Sequence, residues 1–170
     1  NNHIKLNMSS ITIIGPCYNE DQNIDEYLKR IINTVEKLGL NYKVILVDDG
    51  SEDNTWDKIL NHAKKNDKIH GIKFTRNFGH QAAIMAGINL ANSDYIFCSD
   101  VDLQDPPELL EQMFKKMIEK KLDVVFGKRT KNDENFFKKY SSIAFYKFFN
   151  LLSNTKINEQ TSDFILISRR

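Results

Sequence analysis

Five short apolar runs rich in β-branched residues recur along the chain, and helical patterns fill the gaps between them. The runs are Ile11 to Gly15, Tyr42 to Val47, Ile69 to Phe74, Tyr95 to Ser99 and Asp123 to Gly127. Their length and composition predict buried strands. Asn23 to Leu38 sets Ile24, Leu28, Ile31, Ile32, Val35 and Leu38 on one stripe of a helix, with Gly39 as its stop. Further helices are predicted over Asn54 to Lys65, introduced by the cap signals Ser51 and Asp53, over His80 to Ala91, and over Pro107 to Lys120, which carries Pro106-Pro107 at its first turn. Met85 and the Ile and Ala positions of the third helix read as core.

The order βαβαβαβαβ implies an α/β fold, a mostly parallel sheet covered by helices on both faces and joined by right-handed crossovers. At 170 residues the chain is one domain's worth. Ligands of such sheets bind beyond the carboxyl ends of the strands. The polar clusters fall there: PCYNE after the first strand, DDGSED after the second, TRNFGHQ after the third, DVDLQDPPE after the fourth and KRTK after the fifth.

Charge narrows the partners. The 24 basic and 23 acidic residues nearly cancel, so nucleic acid is not an expected partner. Two cysteines are too few for a disulfide framework or a thiolate metal site, which favours a reduced, cytosolic setting. No apolar run approaches the ~20 residues that cross a bilayer. The first ten residues read as a disordered or tag-like extension and 11–170 as the folded domain. An opening without Met and a stop at Arg169-Arg170 read as part of a longer protein whose remainder carries membrane anchors.

The acidic stretch Asp100-Val101-Asp102-Leu103-Gln104-Asp105 is the strongest chemical signal. Six carboxylates and no Lys or Arg lie between Asp94 and Glu111, a repulsion that a cation would relieve. In extended chain Asp100, Asp102 and Gln104 point the same way and offer hard oxygens suited to Mg²⁺ or Mn²⁺, with coordination positions left for water and phosphates. Asp105 and Glu108 read equally well as helix caps. Asp48 to Asp53 is a second acidic turn, ordinary capping chemistry apart from Asp48 or Asp49, either of which could accept a base N–H or ribose hydroxyls. Tyr18 offers a stacking face and Glu20 a carboxylate. Arg76, Gly79, His80 and Gln81 place a cation and a glycine before a helix whose N-terminus could face phosphate. From Lys128 to Lys147 there are six basic residues against two acidic ones, interleaved with Phe136, Phe137, Tyr140, Phe145 and Tyr146. That composition suits a helix lying in a membrane interface or an amphipathic helix packed on the sheet.

Several chemistries are excluded. No G-x-G-x-x-G, G-x-x-x-x-G-K-[ST] or G-x-S-x-G occurs, which removes the dinucleotide fingerprint, the P-loop and the nucleophile elbow. A receiver domain would need its acidic pair after the first strand and its phospho-acceptor after the third. An aspartyl phosphatase would likewise need its acidic pair after the first strand, whereas here the pair follows the fourth, so that reading stays only as an outsider.

Taken together, PCYNE, VDDGSEDNT, RNFGHQAAIMAG, DVDLQDPPE, GKR and SDFILISRR resemble the family-2 glycosyltransferases of GT-A fold, a Rossmann-like architecture. The likeness is strongest to the polyprenyl-phosphate glycosyltransferases, such as dolichol-phosphate mannose synthase and the bacterial bactoprenol-phosphate sugar transferases. It covers nearly all of residues 11–170. It implies that Pro16, Tyr18, Glu20 and Asp48 or Asp49 form the nucleoside pocket of a UDP- or GDP-sugar. It further implies that Asp100, Asp102 and Gln104 hold the metal on the donor diphosphate, that Arg129 with Lys138 or Lys139 receives the phosphate of a polyprenyl acceptor, and that Asp163 stands near the reacting centre. Members often carry Arg after the Asp-Phe of the last motif; this chain has Ile165. The expected setting is the cytoplasmic face of the cell membrane, in surface-glycan synthesis, with a homo-oligomer left open. Two alternatives accompany this reading: a sugar-nucleotide-binding module without catalysis, and a family-2 enzyme with a saccharide acceptor.

Overall fold

A computed structural model describes residues 9–127 and 164–169. The predicted membrane-interface segment, Arg129, Lys138, Lys139 and Asp163 lie outside the described residues.

Six strands, β1 (Ser10–Cys17), β2 (Asn41–Asp48), β3 (Ile69–Lys73), β4 (Tyr95–Cys98), β5 (Val124–Phe126) and β6 (Ile165–Ser168), alternate with helices α1 (Ile24–Lys37), α2 (Thr55–Lys65), α3 (His80–Leu90) and α4 (Leu109–Lys120), until β5 and β6, which no described helix separates. They form one sheet in the order β3-β2-β1-β4-β6-β5. β1 pairs in parallel with β2 and β4, and β2 in parallel with β3. β6 runs antiparallel between β4 and β5. The alternation read from the sequence holds as far as β5, and β6 is added to it. β5 does not neighbour β4, because the later strand takes that place. β1 starts at Ser10, inside the stretch read as an extension, and Ser9 O accepts the Asn41 N–H.

Alternation of side chains along the strands divides the core in two. One face of the sheet presents Ile11, Ile13, Val44, Leu46 and Phe97, and packs against Ile24, Leu28, Ile31 and Val35 of α1, Ile59 of α2, and Leu110, Met113, Phe114 and Met117 of α4. The other presents Ile14, Ile45, Val47, Ile96 and Cys98 to α3. Among the described residues helices cover both faces, three against one. Both cysteines are buried thiols.

α1 ends as its sequence requires. Gly39 takes φ 67°, and its N–H donates to Glu36 O while Leu40 N–H donates to Val35 O, a Schellman closure. α4 begins later than predicted, at Leu109 behind Glu108. Glu108 makes no capping bond with its side chain; its two oxygens instead take the Arg30 guanidinium of α1 in a fork at 2.8 and 2.6 Å. This clamps the end of the acidic stretch to a neighbouring helix.

α3 departs most from expectation. Only Ala83 and Gly87 are buried in it, and Met85, read as core, is 53% exposed. The helix lies so close to β1 that a Cβ on Gly87 would stand 2.4 Å from Ile14 Cγ2. Position 85 is two residues, about 200°, away from both contact residues and so faces outward.

Two outcomes follow. Gly87→Ala gains helix propensity but must push Ile14 aside, so it should lower stability by about 1–3 kcal/mol, read as a lower urea midpoint. Hydrogen bonds from Lys58 and His62 hold the Asp25 carboxyl below its ordinary range, bonds from the Ser10 N–H and hydroxyl do the same for Asp94, and the Arg30 fork does so for Glu108. Depressed folded-state values contribute stability above the unfolded carboxylate range, at about 4, that is lost as pH falls through the folded values. The thermal midpoint should therefore decline on acidification below that range, and Glu108→Gln should make the decline shallower.

Candidate active site

The ladder between β1 and β4 ends where Ser99 N–H donates to Ile14 O, at 3.1 Å. Two residues on, Pro16 has no N–H to offer a partner on that side, while β1 stays paired with β2 as far as Cys17–Asp48. The strands on either side of this gap connect in opposite directions, which makes it the switch point of the sheet. A crevice of about 280 Å³ opens there, lined by residues that follow four different strands.

Pro16, Tyr18, Glu20, Asp49, Gly79, His80, Asp100 and Asp102, all predicted, share its walls with Cys17, Asn77, Ala83 and Val101. Asp48, Arg76, Gln81 and Gln104 are not among the lining residues. Four carboxylates thus meet around one opening, and among the described residues no Lys or Arg lines it. His80 Nε2 lies 3.5 Å from Asp100 Oδ1.

Two acidic turns shape the crevice by different means. The turn after β1 is stitched to the turn after β2: Asn19 N–H donates to Ser51 Oγ, Glu52 N–H to Asn19 Oδ1, Glu20 N–H to Thr55 Oγ1 and Asp21 N–H to Asp53 Oδ2, all between 2.8 and 3.2 Å. Asn19 needs φ 56° for this, a conformation asparagine tolerates. Asp48 is fully buried; its Oδ1 accepts Ser51 N–H at 3.0 Å, and its Oδ2 has no hydrogen-bond partner among the described residues. Asp49 accepts the N–H groups of Phe78 and Gly79 at 2.7 and 2.9 Å. The donors leading into α3 are therefore spent on Asp49, which leaves less of that helix end for a phosphate than its sequence suggested.

The turn after β4 is held from below. Ser99, 1% exposed, bonds through its hydroxyl to the buried Tyr27 hydroxyl at 2.6 Å. Asp102 Oδ1 accepts the N–H of Gln104, and Leu103 between them sits at φ 59°, an uncommon conformation for such a residue. Strain of this kind collects at functional turns. Burial, then the charge of Asp48, pushes the Cys17 thiol well above its ordinary pKa, so it remains a protonated, inert wall.

The donor set fits a hard divalent cation, since carboxylate oxygens are its preferred company. Asp100 and Asp102 both line the crevice and could offer carboxylate oxygens to one. Among the described residues no group of three or more His, Cys, Asp or Glu side chains is placed to hold a metal ion. Gln104 is exposed, and its contribution to Asp102 is through its backbone.

Residues 12–170 match the family model for glycosyl transferase family 2. The chain belongs to that family. It is 38% identical over 160 residues to the uncharacterized glycosyltransferase YkcC of Bacillus subtilis, covering 94% of this chain and 49% of that protein. It is 34% identical over 161 residues to the prophage bactoprenol glucosyl transferase homolog of Escherichia coli, covering 94% and 52%. The chain thus spans about half the length of these relatives. Among solved structures, mannosyl-3-phosphoglycerate synthase from Rubrobacter xylanophilus superposes with TM-score 0.70 at 15% identity, over 94% of this chain and 54% of that one. The mannosyltransferase PcManGT from Pyrobaculum calidifontis, solved with GDP-Man and Mn²⁺, superposes with TM-score 0.58 at 22% identity, over 72% of this chain and 36% of that one. The GT-A fold expected from the motifs is the fold observed.

Reading the motifs alone missed the stitching between the first two turns and the Tyr27–Ser99 support. Tyr27 looked like one more residue of α1, and only the three-dimensional packing brings it under the acidic turn. Tyr27→Phe should keep the ring packed but strand the buried Ser99 hydroxyl, costing about 1–2 kcal/mol in chemical denaturation.

Proposed function

We propose that this chain is the catalytic domain of an inverting glycosyltransferase that moves a hexose from a UDP- or GDP-sugar to a polyprenyl phosphate at the cytoplasmic face of the membrane. The observation that carries the reading is the switch-point crevice, where four carboxylates gather with no Lys or Arg among the described lining. A cleft so charged repels a bare diphosphate and attracts one that arrives with a divalent cation. The name of the bactoprenol relative supports the lipid acceptor.

Within this reading, Tyr18, 44% exposed at the rim, offers its ring to the base, with Pro16 beside it. Glu20, bonded to Asn23 Nδ2 at 2.6 Å, is fixed for a ribose hydroxyl. Asp100 and Asp102 would hold Mg²⁺ or Mn²⁺, which when bound stabilises the charge that develops on the departing diphosphate. Arg129 with Lys138 or Lys139 would receive the acceptor phosphate. A phosphate monoester, with second pKa near ~6, is already mostly dianionic at neutral pH, so its oxygen attacks the anomeric carbon without needing a base. Asp163 is therefore assigned to positioning the acceptor or stabilising positive charge on the sugar ring. The sugar–phosphate bond to the acceptor forms as the bond to the nucleoside diphosphate breaks, in one displacement with inversion. Among the described residues no helix is long and apolar enough to cross a membrane.

The test is a panel of UDP- and GDP-sugars with polyprenyl phosphate and Mn²⁺, using the full-length protein in detergent. The expected product is a lipid-linked sugar of inverted configuration by NMR coupling. Chelator should abolish its formation, and Asp102→Asn should lower the rate at least ~100-fold, the scale of losing several kcal/mol of charge stabilisation. Donor binding with neither transfer nor hydrolysis would make the protein a binding module; a retained configuration would exclude the single displacement.

A further inference from the structure

We infer that Tyr27 and Arg30 of α1 are positioning residues, two pins that hold the acidic stretch at its ends and so set how Asp100 and Asp102 meet a divalent cation. This rests on reading that pair as the seat of the donor's ion. Tyr27, Arg30, Ser99 and Glu108 are not among the residues that line the crevice. Tyr27 is 0% exposed and Ser99 1%, so neither hydroxyl can reach a ligand. What these side chains do for the site they do through the backbone that they hold.

The first pin sits directly before Asp100. The Ser99 N–H donates to Ile14 O at 3.1 Å and its hydroxyl shares a 2.6 Å hydrogen bond with the Tyr27 hydroxyl, so main chain and side chain together fix the residue that leads into the acidic pair. Between the two aspartates Val101, 1% exposed, settles against β1 where Gly15 leaves room: a Cβ on Gly15 would stand 3.0 Å from Val101 Cγ2 and 3.5 Å from Tyr27 Cε1. The second pin closes the far end, where Arg30 grips Glu108 through two hydrogen bonds at 2.8 and 2.6 Å. Fully extended, the chain from Ser99 to Glu108 could reach about 30 Å. Here both ends are tied to one turn of a helix, positions about 4.5 Å apart along its axis. The same helix begins at the crevice: the N–H groups of Asn23 and Ile24 donate to Glu20 O, and Glu20 Oε2 accepts a bond from Asn23 Nδ2. α1 thereby acts as a ruler between the wall that carries Glu20 and the turn that carries the aspartates. A cation held by few protein oxygens depends on their spacing, and losing the groups that orient metal ligands costs about 10–100-fold in affinity.

The experiment uses the full-length protein in detergent and follows Mn²⁺ binding by EPR of the free ion, with UDP present and again with GDP, alongside urea midpoints. Tyr27→Phe, Ser99→Ala and Arg30→Met should each weaken Mn²⁺ binding roughly tenfold. Two comparisons separate positioning from stability. The Tyr27→Phe/Ser99→Ala double variant strands neither hydroxyl, so its urea midpoint should return close to that of wild type while its Mn²⁺ affinity stays low. Arg30→Met removes a positive charge, which by charge alone would tighten Mn²⁺ binding, so weaker binding is the signature of the lost pin. The inference is overturned if the double variant binds Mn²⁺ as wild type does, or if Arg30→Met binds it as tightly as wild type or more so. Wild type that takes up no Mn²⁺ with either nucleotide removes the cation reading of the crevice and the inference together. Wild type that binds it, beside variants that bind it equally well, removes the inference alone.

Discussion

The ladder between β1 and β4 stops short of the one between β1 and β2, and the site depends on that difference. While two parallel strands share hydrogen bonds, their ends lie side by side and leave no space for a ligand. Once Ser99 has donated to Ile14, β1 continues with β2 alone and β4 turns away into the acidic stretch. Pro16 fits this point because no donor is required of it. The crevice is a consequence of pairing that ends unevenly, and the chemistry of the turns is supplied on top of it.

Around that opening the protein keeps negative charge close together by holding several of its carboxylates through backbone donors. Asp48, Asp49, Asp53 and Asp102 all accept main-chain N–H groups. Such bonds fix the direction of a carboxylate without cancelling its charge, as a lysine would. Among the described residues Arg30 pairs with Glu108 at the far end of the stretch, where it anchors α4 away from the crevice walls.

Much of this was legible in the residues. The five parallel-type strands, the four helices and the gathering of polar clusters beyond strand ends all follow from apolar periodicity and the rule that loops carry the site. Eight of the predicted site residues meet in one crevice because their motifs follow different strands. Periodicity could not show that β6 inserts between β4 and β5, since FILIS reads the same in either direction and strand order is decided by packing. Nor could it show that Met85 faces outward: α3 is apolar nearly all round, so its contact face is chosen by the small residues Ala83 and Gly87. The distinction between Asp48 and Asp49 was equally hidden, for adjacent residues on a strand end point to opposite faces and only the folded turn reveals which one meets the crevice.

The place of β6 has a further consequence for how the chain is built. β4 is complete at residue 98, but its outer neighbour is not made until residues 165–168, and β5 joins the sheet only through that late strand. During synthesis the growing domain therefore carries β4 as an unpaired border for some seventy residues, the interval read from those positions. Open borders of this kind invite pairing with other chains, and distant partners close slowly. Truncation just before β6 should yield a polypeptide that contains nearly every cleft residue and yet aggregates.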